Sequence, residues 1–281
     1  MICLRLINLK PSELLLTADE LAWLGELSVK PLVSVQQLSQ AQTNQVFLIT
    51  AQNNQQFIFK RLNINARNRY HRKQELAVHK MASDCNLSPK VLGDCSQYRL
   101  QAYIKGKTLN NSVTTPHILK QVAAQLRMIH QLPAKYAPLQ SLTDELLILN
   151  KKSSGGIISD EFQHFLQLAT QLDKSSSQDI LCHGDLSFNN LVQTENRQMK
   201  ILDWEYAVLA CPAYDLASCC CINDFNIEEQ ELLIRYYYLS NKAHISQSLD
   251  QLYKESALYH SVFTYLNKLW GLVFIPQELK T

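Results

Sequence analysis

Residues 181–203 read LCHGDLSFNNLVQTENRQMKILD, and the fold is decided here. The stretch sets His183, Asp185 and Asn190 in an H-x-D-x-x-x-x-N pattern, then runs through the apolar strand MKIL to Asp203. A loop carrying a carboxylate and an amide, feeding a strand that ends on a second carboxylate, contains what phosphoryl transfer requires. Asp185 is placed to accept a hydrogen bond from an attacking hydroxyl, aim its lone pair and take up the proton. Asn190 and Asp203 offer oxygen ligands suited to magnesium. A turn aspartate serving only nearby backbone N–H groups would need neither Asn190 nor Asp203 in step with it. His183 is read as orienting the loop through its ring nitrogens. Asp215, in PAYDLA, is read as a buried carboxylate that accepts hydrogen bonds from the loop.

Toward the N-terminus, Lys60 ends the β-rich run QQFIFK, and Glu75 falls in the helical pattern that follows. A strand lysine can reach nucleotide phosphates while a helix carboxylate holds it in place. VSVQQL, QVFLIT and QQFIFKRL read as strands, the last two joined by a turn over residues 51–54. Thr17 and Glu20 predict a capped helix over residues 17–27. A helix is expected over residues 70–83 with Leu76, Val78 or His79, and Met81 facing inward. Two strands, residues 89–92 and 98–104, are expected around a turn at Gly93-Asp94.

After Gly106 the pattern turns helical. Thr115 caps a helix that has Pro116 in its first turn and Leu119, Val122, Leu126 and Ile129 on one face. Further helices are expected over residues 160–172, after the Asn226/Glu229 cap, and through a last stripe of Leu252, Tyr259, Phe263, Leu266 and Trp270. Residues 152–156 and 175–177 read as loops. The expected class is α+β: a small antiparallel-sheet N-terminal lobe with one main helix (residues 1–103) and a larger, mainly helical C-terminal lobe (residues 104–281). They join near Tyr103 around a cleft.

Composition sets the bounds. At 281 residues with 46% hydrophobic and 19% charged side chains, the chain reads as an ordinary globular protein. A net charge of +2 and the lack of a basic stripe argue against a nucleic-acid partner. The densest basic run (Arg67, Arg69, His71, Arg72, Lys73) reads as a solvated loop and helix start. The eight cysteines, including Cys219, Cys220 and Cys221 in a row, lack zinc spacing and a disulfide framework, so they are expected as buried apolar groups in a reducing compartment. Neither a signal peptide nor a membrane span is legible, and the expected location is cytoplasmic.

HGDLSFNNLV, followed by KILDWEYA and PAYDLA, resembles the aminoglycoside phosphotransferase and choline kinase superfamily, whose members share a protein-kinase-like fold. DWEYA looks most like the choline/ethanolamine kinase and bacterial thiamine kinase branch. The resemblance runs from about Val33 to Phe225 and takes in FIFKRL, LSPKVL and YIKGKTL. It implies an ATP- and Mg2+-dependent small-molecule kinase. Asp185 would be the catalytic base, Asn190 and Asp203 the metal ligands, Lys60 the phosphate lysine and Glu75 its partner, with Tyr103 among the nucleotide contacts at the lobe crossing. Two features depart from the family. The phosphate hairpin, residues 38–44, has no glycine, so Ser39, Thr43 and Asn44 are the expected side-chain donors there. The last helix also ends soon after Trp270.

The implied substrate is a small cationic alcohol such as choline or ethanolamine, with a thiamine or an aminoglycoside as alternatives. Aromatic faces beside a carboxylate hold such a cation, which nominates Glu205, Tyr206 and Trp270. Trp204, Tyr214, Tyr259 and Phe263 are further aromatic candidates, and the helical ones read first as core. A non-catalytic kinase-fold nucleotide binder would be expected to have lost part of the Lys60, Asp185, Asn190 and Asp203 set. Oligomeric state is not legible in the sequence.

Overall fold

The computed structural model describes residues 15–40, 44–63, 72–109, 114–156, 158–177, 179–242 and 246–274. Thr17 caps α1 (Ala18–Glu26) in a complete capping box, its N–H donating to Glu20 Oε2 at 2.7 Å and its hydroxyl accepting the Glu20 N–H. Beyond it lie β1 (Leu32–Gln40), β2 (Asn44–Ala51), β3 (Gln56–Leu62), α2 (Arg72–Asp84), β4 (Val91–Asp94) and β5 (Tyr98–Ala102). The strands form one antiparallel sheet in the order β1-β2-β3-β5-β4. Strand alternation sends Phe47, Ile49, Phe59 and Leu100 into a small core with Leu24 and Val35. Lys60, one residue past Phe59, therefore points to the opposite face.

Two expectations in this region need correction. Gly93 and Asp94 belong to β4, and the turn follows them. Gly93 is required for close packing: a Cβ there would meet Leu27 Cδ1 at 2.4 Å. In α2 the buried residues are Glu75, Val78, His79 and Ala82, while Leu76 and Met81 are half-buried. The polar pair goes inside because both have partners, Arg99 for Glu75 and the Pro89 carbonyl for His79. Val78 and Ala82 belong to the core of the helical part. Of the basic run, residues 67, 69 and 71 lie outside the described residues. Arg72 begins α2, donates to the Asn63 carbonyl and is half-buried; Lys73 is exposed.

The rest of the chain comprises β6 (Gly106–Thr108), α3 (Pro116–His130), α4 (Leu142–Ser154), α5 (Asp160–Ser175), β7 (Ile180–Cys182), β8 (Leu191–Thr194), β9 (Met199–Ile201), β10 (Val208–Ala210), α6 (Pro212–Ile222), α7 (Ile227–Asn241) and α8 (Leu249–Phe274). The caps at Thr115 and at Asn226/Glu229 form as expected. α4 and α6 were not foreseen, and residues 152–154 prove to be the last turn of α4, which stops at Gly155 with φ +69°. Ser175 closes α5. A continuous apolar run, as in α4, conceals helical period, and α6 is buried along nearly its whole length. Cys219 and Cys220 are buried there as small apolar groups, and burial pushes both thiols up.

β6-β8-β9 and β7-β10 form two small sheets that flank the loop after β7. The two parts meet through backbone: the Ile201 N–H donates to the Leu87 carbonyl at 2.8 Å. Ser88 Oγ donates to the Ile201 carbonyl at 2.6 Å and accepts from Trp204 Nε1 at 2.8 Å. No described helix is long and apolar enough to cross a membrane.

Candidate active site

β7 delivers His183 to a turn that only glycine can make. Gly184 has φ +74°, and a Cβ on it would lie 2.4 Å from the Tyr206 carbonyl oxygen. The His183 and Gly184 N–H groups donate to Asp215 Oδ2 at 2.9 Å and Oδ1 at 2.8 Å, and His130 Nε2 lies 3.0 Å from Oδ2. Burial drives the Asp215 carboxyl upward, but His130 and the loop amides outweigh it and hold the group below its usual range. Asp215 thus acts as read from the sequence, anchoring the loop from beneath.

His183 is fully buried against Trp204, with ring centroids 4.8 Å apart. Its Nε2 donates to the Leu202 carbonyl at 3.0 Å and its Nδ1 accepts the Asp185 N–H at 3.3 Å. Burial holds the imidazole below its ordinary value, so it serves as a neutral spacer between the loop and the strand end. From α6, Ser218 Oγ donates to the Gly184 carbonyl at 2.7 Å. Beyond the helix end, Asn223 accepts the Phe188 N–H at 2.8 Å and donates to the Leu186 carbonyl at 3.0 Å. His130, Ser218, Asn223 and Ser88 escaped the sequence reading. The available signal was the recurrence of polar residues at 215, 218 and 223 on and just beyond an otherwise apolar helix.

Four of the predicted residues converge. Asn190 Nδ2 donates to Asp185 Oδ2 at 2.9 Å and to the Asp185 carbonyl at 2.8 Å, which commits the amide nitrogen and leaves Oδ1 as the acceptor. Burial first, and then the charge of Asp203, raises Asp185 to about 7, with the Asn190 bond opposing. Asp203 has φ +63°, and its Oδ1 accepts from Lys60 Nζ at 2.9 Å. Burial opposes ionisation of both partners, yet their mutual attraction prevails: Lys60 is raised and Asp203 lowered. Asp203 Oδ2 and Asn190 Oδ1 are the oxygens these bonds leave uncommitted, and their chemistry is that of hard donors for a divalent cation.

Two residues sit differently from the expectation. Glu75 bonds Arg99, which also donates from Nε to Asp94 Oδ1 at 2.8 Å. Lys60 and Arg99 face each other directly in the β3–β5 ladder, so both cations lie on the Glu75 side of the sheet. The guanidinium fork takes Glu75, and Lys60 reaches across to Asp203, although the Glu75 charge still contributes to raising Lys60. Asn44 is spent on structure: Nδ2 donates to Glu205 Oε2 at 3.3 Å and Oδ1 accepts the Asn63 N–H at 3.2 Å. It is a strut from the hairpin to the segment beyond Asp203.

Ser39 lies in β1 and Thr43 lies outside the described residues, as does the Ser39 side chain. Tyr103 is half-buried at the crossing, its N–H donating to the Gln56 carbonyl at 3.4 Å. Glu205 and Tyr206 are half-buried beside Asp203, while Trp270 is 40% exposed near the end of α8. Tyr214 meets Tyr259 and Phe263 edge-on at 5.8 and 5.1 Å, and Tyr214 and Tyr259 are buried, so this aromatic group is core.

Comparison with known proteins bears on family and fold. Probable choline kinase 3 of Arabidopsis thaliana is 21% identical over 231 residues, 73% of this chain and 67% of that protein. A LicA homolog of Metamycoplasma hominis is 24% identical over 162 residues, 56% of this chain and 63% of its own length. The crystal structure of choline kinase LicA from Streptococcus pneumoniae superposes with a TM-score of 0.70 at 18% identity, covering 92% of this chain and 91% of that one. The streptomycin–ATP–APH(2″)-IIa ternary complex does so with a TM-score of 0.64 at 16% identity, covering 94% and 91%. The fold is protein-kinase-like. Residues 34–245 match the phosphotransferase enzyme family, and the chain belongs to that family.

Proposed function

We propose that this protein transfers the γ-phosphoryl group of ATP to the hydroxyl of a small cationic alcohol, choline or ethanolamine. The observation that carries the reading is the convergence of Lys60, Asp185, Asn190 and Asp203 in one cleft. Residues 1–103 and 104–281 act as its two walls. Asp185 accepts the substrate hydroxyl proton on its carboxylate as the new O–P bond forms and the bond to the β-phosphate oxygen breaks, releasing ADP. Asn190 keeps the Asp185 carboxylate in one orientation through Nδ2. Lys60 exchanges Asp203 for the α- and β-phosphates, with Glu75 and Arg99 fixing its surroundings. Mg2+ held by Asp203 Oδ2 and Asn190 Oδ1 would supply charge neutralisation at the phosphates. Glu205 and Tyr206, beside Asp203 in sequence, are the side chains we assign to the cationic end of the alcohol. The choline kinase names of several relatives favour choline over an aminoglycoside.

The test is ADP release by the purified protein with Mg-ATP and choline, ethanolamine, thiamine or an aminoglycoside panel. Release that depends on choline or ethanolamine, and that falls about 10²–10⁴-fold in Asp185→Asn while Mg-ATP still binds, is the expected result. Equal turnover in Asp185→Asn would remove the base assignment. Release with thiamine or an aminoglycoside alone would replace the substrate.

A further inference from the structure

Arg99 and Lys60 divide three carboxylates between them. Arg99 Nη1 donates to Glu75 and its Nε to Asp94 Oδ1 at 2.8 Å, while Lys60 Nζ donates to Asp203 Oδ1 at 2.9 Å. The two cations stand directly opposite each other in the β3–β5 ladder, so their side chains leave the sheet side by side. Like charges so placed repel, and each needs a carboxylate of its own. His79, one turn beyond Glu75 on α2, is not a third cation: burial first, and then the Arg99 charge, push its imidazole down to about 4. Glu75 is the charge that α2 presents, and its attraction acts on Lys60 as well as on Arg99.

The carboxylates differ in what they lose when a cation leaves. The Glu75 side chain is 9% exposed and that of Asp203 31%. A buried carboxylate stripped of its cation has no water to turn to, so phosphate could draw a lysine from Glu75 only against that penalty. Asp203 has more access to water, and its chemistry suits a divalent cation in exchange. Arginine fits the permanent post, because its planar fork binds Glu75 and Asp94 together. Lysine, a single ammonium on a flexible stem, fits the exchangeable one.

We propose that Arg99 is a positioning residue for the nucleotide: by holding Glu75 it keeps α2 from capturing Lys60, so that Lys60 has only Asp203 to trade for phosphate. The role rests on the nucleotide reading of the cleft given above. Arg99, enclosed between Glu75 and Asp94, acts on Lys60 through Glu75. Without the Arg99 charge, Glu75 takes Lys60, and phosphate must compete with a desolvated carboxylate for the ammonium.

Two measurements test this. The first needs no nucleotide: a crystal structure of Arg99→Leu should place Lys60 Nζ on Glu75, whereas Arg99→Lys, which restores a cation, should leave it on Asp203. Lys60 on Asp203 in Arg99→Leu, or on Glu75 in Arg99→Lys, would overturn the proposal. The second is calorimetric affinity for the magnesium complex of a non-hydrolysable ATP analogue. Lys60→Met and Arg99→Leu should each weaken it at least about tenfold, yet adding Lys60→Met to Arg99→Leu should cost less than about threefold more. Adding Glu75→Gln to Arg99→Leu should recover most of the affinity, since the captor has lost its charge. A merely structural Arg99 would leave Lys60→Met its full effect in the Arg99→Leu background, and that result would overturn the role while the nucleotide reading stood. No analogue binding by wild type would overturn the nucleotide reading and this role with it. If Arg99→Leu does not fold, Arg99→Gln, which keeps a donor for the buried carboxylate and removes the charge, takes its place in both measurements.

Discussion

Burial and the neighbouring Asp203 hold the Asp185 carboxyl at about 7, far above an ordinary aspartate. A folded-state value raised in this way favours the fold while the group is protonated and penalises it as pH rises from about 4 through about 7. At pH 4 wild type and Asp185→Asn should therefore melt close together. At pH 8 the variant should be more stable by roughly 2–4 kcal/mol, because it carries no buried charge facing Asp203. Thermal unfolding of both proteins across pH 4–8 checks this, and a gap that shrinks toward alkaline pH would contradict it. A divalent cation bound beside Asp203 should narrow the gap by offsetting the same repulsion.

α6 and the residue after it work as a clamp. Asp215, Ser218 and Asn223 reach the His183, Gly184, Leu186 and Phe188 backbone groups, so the loop's conformation is stored in a helix rather than in the loop. Asn223→Ala would strand the buried Phe188 N–H and leave the Leu186 carbonyl only the weak Cys219 thiol as donor. We expect a loss of about 1–3 kcal/mol in chemical denaturation, together with a fall in turnover, because Asn190 sits on the turn beginning at Phe188. Stability within a few tenths of wild type would mean that the clamp is redundant. In the N-terminal sheet, register plays the comparable part: Lys60 opposite Arg99 decides which cation takes Glu75.

Across the whole molecule, the Lys60–Asp203 ion pair joins the sheet to the strand end beyond β9, and Asn44–Glu205 runs parallel to it. On the proposed function, nucleotide binding would replace the first contact with phosphate. Mg-ATP at a hundred times its dissociation constant should stabilise the protein by about 2.7 kcal/mol, and at the same concentration Lys60→Met should lose most of that gain. Melting curves with and without Mg-ATP distinguish the two proteins. An undiminished shift in Lys60→Met would remove the lysine from the phosphate site.

Much of this was legible in one dimension. The offsets from His183 to Asn190 and onward to Asp203 announce their grouping because a loop followed by a short strand places them together without distant help. The Thr17, Thr115 and Asn226 caps are likewise satisfied within three residues of themselves. What the tertiary structure alone decided is partnership. Lys60 joins Asp203 across the cleft, Glu75 goes to Arg99, Asn44 is consumed by Glu205, and His130 supports Asp215 from another helix. Such choices depend on which of several competing groups packing brings within hydrogen-bonding distance in a buried, low-dielectric place. Periodicity and spacing along the chain carry no record of that competition.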